Sequence, residues 1–335
     1  MHKYIKYNIS FIFCFLTILN QGCAPAKRLI ETEKVVDQPL SVGFWNVENL
    51  FDLEDNPDKN DDEFALGGRK KVDQQIYDLK IKHCSEVLQD LNVDVLGLCE
   101  VENYKVLNDL NNAYKERNYE IIHYESPDNR GIDNALLYDR NRFSIISSRA
   151  IENKLKNGGP TRDVLYVLGE YNDARLHIFV NHWPSNYGGK EKSIPKRNFT
   201  SKLLLGEIQK IKKVEFEPNI VLLGDFNENP DDKNVLLLES AGLTNLMMGM
   251  INKEDISTYI YRGNNYLYDQ IIVSNSILDE KGFTLADSTA YILDLPKYRQ
   301  QKGKYKNYPF RFWAGNKLLG GYSDHLAVKA DFVIK

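Results

Sequence analysis

Asp225 and Asn227 stand two residues apart, just where the apolar run Ile220-Val221-Leu222-Leu223 ends at Gly224. The run is short and unbroken, so it predicts a buried strand whose exit carries the two polar side chains. Side chains alternate along an extended backbone, which would turn Asp225 and Asn227 to one side and Phe226 into the core. A carboxylate that takes a proton from water and an amide that fixes the water or an acceptor oxygen would then face one cavity. That arrangement suits hydrolysis of a phosphate ester. Asp and Asn are also ordinary turn residues, so the pair gains weight only from partners elsewhere. Polar residues recur at other predicted strand ends: Asn46 and Glu48, Glu100, Asn181 and His182, Asp269, and Asp324 with His325. Two imidazoles and several oxygen donors at strand exits spread over the whole chain are hard to explain as independent turns.

The elements that must position these groups follow from apolar patterning. Ser41–Asn46 predicts the first strand, and Asp94–Cys99 a buried second strand with Glu100 at its end. Shorter candidates lie at Tyr119–Tyr124, Ala135–Tyr138, Phe143–Ser147, Val164–Gly169 and Leu176–Val180, and later at Leu267–Val273, Thr289–Leu293 and Leu326–Val333. Val72, Ile76, Leu79, His83 and Val87 recur at helical spacing, so Lys70–Leu91 predicts an amphipathic helix. Lys196–Lys213 predicts another, leading through Pro218 to the strand that ends at Asp225. Many strands with few helices predict an α+β fold of two packed mixed β-sheets flanked by helices. Asp52–Glu63 is an acidic loop in which Pro57 stands where a calcium loop needs its sharp glycine turn, and it is expected to be solvated. No long internal repeat is evident, which makes one catalytic domain over residues 40–335 the simplest division.

At 335 residues, with 42% apolar and 27% charged residues, the chain is long enough for a sizeable core and is not of disordered composition. A net charge of −4 argues against a general polyanion binder, so any nucleic-acid contact must come from a local basic patch. Lys3 and Lys6 precede the apolar stretch Ile9–Leu19, too short for a comfortable membrane span and suited to a signal-peptide core. Residues 1–22 therefore read as a signal segment. Gly22-Cys23 resembles a bacterial lipoprotein processing site with Cys23 as the lipidated N-terminus, although Asn20 departs from the usual apolar residue three places earlier. Residues 23–39 read as the lipidated cysteine and a polar tether. The expected location is the bacterial cell envelope, anchored in membrane through the lipid, or outside the cell should Cys23 stay unmodified. Cys84 and Cys99 make no disulfide framework and no zinc-type cluster, and both are expected to be buried.

Seven stretches, Trp45–Asn49, Cys99–Asn103, Arg130–Asp133, Asn181–Ser185, Gly224–Asn227, Tyr268–Ile271 and Tyr322–His325, together resemble the endonuclease/exonuclease/phosphatase superfamily. They occur in that group's order and span nearly all of residues 41–335. The resemblance implies the four-layer sandwich of the deoxyribonuclease I-like fold and a hydrolase that cleaves phosphate esters with a divalent metal, Mg²⁺ or Mn²⁺. Glu100 and Asp324 offer hard carboxylate oxygens and Asn46 a neutral one, donors that suit those ions and disfavour a zinc site. By resemblance, Asp225 polarises or deprotonates the attacking water and Asn227 orients water or phosphate. His325 stabilises charge on phosphorus or protonates the leaving oxygen, Asp269 holds its ring, and His182 binds a non-bridging oxygen or shares the acid role. Glu48 either touches the metal or supports its ligands, and Arg130 is a candidate phosphate partner through its planar fork. His83 and His177 have no motif around them and are expected to be structural, while the surroundings of His123 leave it open. Asn186 stands where bacterial relatives with this motif tend to carry an arginine, so one phosphate contact is absent.

The superfamily spans DNA nucleases, sphingomyelinases, inositol phosphate phosphatases and nucleotide phosphodiesterases, so the resemblance leaves the substrate open. Lys297, Arg299, Lys302, Lys304, Lys306 and Arg311 interleave with Tyr298, Tyr305, Tyr308, Phe310 and Phe312 just before the Asp324-His325 motif. A nucleic-acid backbone and its bases would suit such a loop, as would plain solvent or membrane headgroups. The leading expectation is an envelope-anchored, metal-dependent endonuclease with a nucleic-acid substrate and no protein partner. A phosphatase or a lipid or small-molecule phosphodiesterase is the alternative, for which no long apolar insertion is evident. An inactive envelope binding module is the remaining one, and the intact set Glu100, Asp225, Asn227, Asp269, Asp324 and His325 argues against it.

Overall fold

Residues 38–155, 159–287 and 289–335 are described by a computed structural model. The signal segment, Cys23 and all but the end of the tether lie outside the described residues. In chain order the longer strands are β1 (Leu40–Leu50), β2 (Val95–Val101), β3 (Tyr119–His123), β4 (Asp133–Asp139), β5 (Ser144–Ile151), β6 (Val164–Tyr171), β7 (Ala174–His182) and β8 (Ile220–Asp225). There follow β9 (Leu243–Asn245), β10 (Tyr259–Tyr261), β11 (Asn264–Tyr266), β12 (Asp269–Ser274), β13 (Phe283–Leu285) and β14 (Tyr291–Ile292). The last are β15 (Trp313–Ala314), β16 (Lys317–Leu318) and β17 (Val328–Ile334). The α-helices are α1 (Gln74–Leu91), α2 (Tyr104–Ala113), α3 (Lys190–Lys212) and α4 (Lys233–Glu239).

One sheet runs β13-β17-β1-β2-β4-β3 with β14 on β17, and the other runs β5-β6-β7-β8-β12-β9. β1 lies parallel to β2 and β7 parallel to β8, while the remaining ladders of both sheets are antiparallel. Strand alternation sorts each sheet into two faces. Phe44, Val95, Cys99, Val180, Val221 and Leu223 fill the layer between the sheets. Trp45, Val47, Leu96 and Leu98 turn outward beneath Ile81, Cys84 and Leu88 of α1. Phe179 and Leu222 face Leu204 and Ile208 of α3 and Leu238 of α4. Helix, sheet, sheet and helix therefore stack as the α+β sandwich that the sequence predicts. Cys84 and Cys99 are buried free thiols. No helix among the described residues is long and apolar enough to cross a membrane.

Two local expectations need correction. The acidic loop after β1 is not uniformly solvated, because Asp52 and Asp61 are buried. Phe51 and Phe64 stack at 4.2 Å across its two ends and draw the loop onto the protein. Asp52 then accepts from Asn103 and Glu54, and the Glu102 carboxylate accepts the Asp52 N–H. Burial, with the charges of Asp52 and Asp61 added, pushes the Glu102 carboxyl up to about 8. Helix α3 begins at Lys190, before Pro195, and carries that proline inside rather than starting after it. Helices α2 and α4 have no long periodic signal. The Asn-rich α2 forms because Val106, Leu107 and Leu110 are buried and Asn103 caps the Val106 N–H.

Gly224 packs against β7 so closely that an added Cβ would meet the Cβ of Asn181 at 2.6 Å and its backbone oxygen at 2.7 Å. Backbone cannot swing aside as a flexible side chain can. Gly224→Ala should therefore cost about 1–3 kcal/mol, read as a lower urea midpoint with unchanged slope. An unshifted midpoint would mean that β7 and β8 separate freely.

Candidate active site

Topology gathers the polar strand ends. β1 and β2 finish at the same edge of one sheet, β7 and β8 finish at the corresponding edge of the other, and antiparallel β12 starts there. Register places His182, Asp225 and Asp269 in one row across β7, β8 and β12. His325, just before β17, meets this row from the other sheet.

Asp225 is the hub. Its Oδ2 accepts from Asn46 Nδ2 at 3.1 Å and lies 3.7 Å from His182 Nε2 and 3.8 Å from His325 Nε2. Its Oδ1 accepts the Asn227 N–H at 2.9 Å. His325 Nδ1 pairs with the fully buried Asp269 carboxylate at 2.7 Å, and the Tyr259 ring stacks on the imidazole with centroids 4.7 Å apart. Burial opposes charge on His325, but Asp269 and Asp225 outweigh it and hold the imidazole well above its ordinary range. For Asp225, burial dominates and pushes the carboxyl up to about 7, against the pull of His325. His182 goes the other way, because burial and then Arg162 and Arg130 hold it well below the histidine range. One imidazole is thus kept protonated and the other neutral, on either side of one carboxylate.

The remaining candidates divide into groups at the centre and groups that hold it. Asn46 Oδ1 accepts the Glu48 N–H at 3.0 Å while its Nδ2 donates to Asp225, so both ends of the amide are fixed. Glu100 sits at the register shift of β2 with φ +62°; Oε2 accepts the Asn49 N–H, and Oε1 stands 3.8 Å from His182 Nε2, beyond hydrogen-bond reach. Asp324 accepts from Arg311 at 2.9 Å through Oδ2. The oxygen donors of Glu100, Asp324 and Asn46 match the chemistry of a hard divalent ion. Glu48 is buried and accepts the Phe312 and Trp313 N–H groups and Arg311, so it anchors the 311–313 segment. Burial and then Asp324 push its carboxyl up to about 7.

Asn227 departs from simple alternation. The strand ends at Asp225, and φ +50° at Asn227 turns the backbone away, so its Nδ2 donates to the Trp183 carbonyl at 3.1 Å. Phe226 enters the core as expected. Arg130 has a half-exposed side chain tied to Asp128, yet stands close enough to weigh on His182. Arg162 was not apparent from the sequence: no motif surrounds it, and it lies just before β6. It is buried, bonds Asp128 at 3.2 Å and donates to the Trp183 carbonyl at 2.8 Å. His83 bonds the Gly321 carbonyl and His177 bonds Tyr166. His123 bonds Asp133, and with Glu125 these side chains place ligand atoms within 4.8 Å of one another, a spacing open to a cation. Asn186 joins the Asn227 carbonyl to the Tyr268 hydroxyl. In the basic loop, Lys297 pairs with Asp90, Arg299 with Asp294, and Arg311 with Glu48 and Asp324. Lys302, Lys304 and Lys306 remain on the exposed tip.

The profile described as the Endonuclease/Exonuclease/phosphatase family matches residues 41–333. No curated protein matches the chain. Among solved structures, D. rerio TDP2 complexed with single strand DNA product aligns at 16% identity with TM-score 0.57, covering 89% of this chain and 100% of that one. The human Nocturnin catalytic domain with bound sulfate anion aligns at 17% identity with TM-score 0.56, covering 90% and 97%. An endonuclease/exonuclease/phosphatase from Bacteroides vulgatus aligns at 15% identity with TM-score 0.56, covering 89% and 99%. At such identities the likeness is one of fold.

The Asp269 carboxylate explains the raised His325 pKa, so its removal has a direct readout. In Asp269→Asn the His325 imidazole should titrate well below its wild-type value, followed by imidazole NMR. A His325 pKa that stays high would assign the effect to Asp225 alone.

Proposed function

The chain belongs to the endonuclease/exonuclease/phosphatase family, and from that premise we propose that it is a divalent-metal-dependent phosphodiester hydrolase of the nuclease type, held at the bacterial envelope by lipid on Cys23. The observation that carries this reading is the Asp225 carboxylate flanked by two imidazoles, His182 Nε2 at 3.7 Å and His325 Nε2 at 3.8 Å, the second backed by the Asp269 carboxylate. Two imidazoles driven to opposite proton states by their surroundings divide acid and acceptor work between them.

Asp225, with a pKa of about 7, exchanges a proton with water near neutrality and is the general base. The Asn227 N–H and the Asn46 amide hold that carboxylate in place, so proton removal needs no rearrangement. Charged His325, steadied by Asp269 and by the Tyr259 ring, offers its Nε2–H to a phosphoryl or leaving oxygen. Neutral His182 faces the same centre from β7. Enzymes of this family typically use divalent ions; Glu100, Asp324 and Asn46 would hold one here, and it would neutralise phosphoryl charge. Nucleic acid as substrate is supported by the DNA-bound state of the TDP2 neighbour and by Lys302, Lys304 and Lys306 beside exposed Tyr305.

Hydrolysis of plasmid DNA, single-stranded DNA, RNA, bis-p-nitrophenyl phosphate and p-nitrophenyl phosphate should be compared with Mg²⁺, Mn²⁺ or EDTA. Polymers and the diester should be cut, EDTA should abolish cleavage, and Asp225→Asn or His325→Ala should lower kcat by about 10²–10⁴. Cleavage of the monoester alone would make the protein a phosphatase and end the nuclease proposal. Labelled palmitate should enter the wild-type chain in bacterial cells and not Cys23→Ser; equal labelling would refute the anchor.

A further inference from the structure

A groove of about 340 Å³ opens between the segment before β6, the segment after β7 and the first turns of α3. Its lining includes Thr161, Arg162, Ser185, Lys192, Ser193 and Lys196, and no carboxylate belongs to it among the described residues. Three features make it an anion site in chemistry. Lys192 and Lys196 lie one turn apart on α3 and bring two ammonium groups to one wall. The 23-residue α3 follows Gly189 without a side-chain cap and, although Glu191 lies in its first turn, brings its positive end beside the groove. Arg162, with only 6% of its side chain exposed, forms part of the wall, and its Nε–H has no acceptor on the protein although its other two nitrogens are bonded. A buried guanidinium N–H left unpaired is the group an anionic oxygen would satisfy.

The groove adjoins the catalytic centre along the chain, because Pro184 and Ser185 of its lining follow His182 and Trp183. One carbonyl, that of Trp183, accepts from both Arg162 and Asn227, and the Trp183 N–H donates to the Asp225 carbonyl at 2.9 Å. Arg162 in the groove wall and Asn227 at the centre are therefore fixed by the same backbone carbonyl. We propose that the groove is a second phosphate subsite, holding a phosphate of the substrate chain next to the one cleaved. The inference rests on the nuclease reading and narrows it: the preferred substrate carries at least two phosphates along one strand. Esters with a single phosphate bypass the subsite.

The full chain and its double variant Lys192→Glu/Lys196→Glu should be compared on a single-stranded DNA 12-mer and on bis-p-nitrophenyl phosphate. Lys82→Glu, on α1 over the other sheet, reverses one charge outside the groove and, set beside the single variant Lys192→Glu, controls for net charge. The double variant should raise KM for the 12-mer about tenfold with kcat little changed, and should flatten the salt dependence by about 0.7 per cation removed. Its kinetics on the one-phosphate diester should match wild type. An unchanged KM for the 12-mer, an equal rise in Lys82→Glu, or an equal loss on the small diester would overturn the subsite. Should the wild type leave the 12-mer uncut, the nuclease reading fails by itself, and calorimetric titration with inorganic phosphate decides the subsite separately. Wild type should then bind one phosphate more than the double variant, and equal stoichiometry would overturn the proposal.

Discussion

A carboxylate buried at the meeting point of two sheets is the constraint on which the site depends. Asp225 is 2% exposed, and an isolated buried charge would be far too costly to keep. It is tolerated because Asn46 comes from β1, the Asn227 N–H from the turn after β8 and the His325 imidazole from the segment before β17. Each partner lies on a different segment, so the charge ties both sheets together at one edge. Asp269 is the second buried carboxylate in the same row, and the His325 ring lies between the two. Two acids and one cation in a shared low-dielectric space account for the directions of their pKa shifts: Asp225 up, His325 up.

Left-handed backbone conformations also occur at this edge. Glu48, Asn49, Glu100 and Asn227 all adopt positive φ without being glycine. Such conformations persist only where surroundings over-determine them. Here the fixing contacts are visible: Glu48 grips the 311–313 segment, Glu100 takes the Asn49 N–H, and Asn227 bonds Asp225 and Trp183. The turn at Glu100 re-aims its carboxylate at the register shift of β2, where an extended residue would have pointed along the pleat.

What the sequence revealed and what it hid follow from the range of the forces involved. Strand exits at Asp225, Glu100 and His182 were legible because buried strands leave unbroken apolar runs and polar ends. The pairing of His325 with Asp269 spans 56 residues, and no local pattern encodes it; the family motifs supplied the expectation. The positive φ of Asn227 was invisible because the alternation argument assumes that extended backbone continues past the strand. Asp52 and Asp61 read as solvated because composition cannot show that Phe51 and Phe64 stack and close the loop over them. Arg162 carried no signal at all, since a buried arginine outside a motif looks like any surface arginine until its carbonyl and carboxylate partners are placed.

Charge placement links these points to a polyanionic substrate. The chain is net negative, which disfavours indiscriminate binding of nucleic acid. Its acids, however, are spent locally: Asp90, Asp294, Glu48 and Asp324 neutralise Lys297, Arg299 and Arg311 at the base of the basic loop. The cations left over, Lys302, Lys304 and Lys306 on one side and Lys192 and Lys196 on the other, lie on separate segments. Long-range repulsion from the net charge is screened within about 10 Å at ordinary salt, whereas contacts in these patches act at shorter range. A backbone that reached both patches would gain by local contact what it loses at distance, so its retention would depend on holding several phosphates at once rather than on the field of the whole protein.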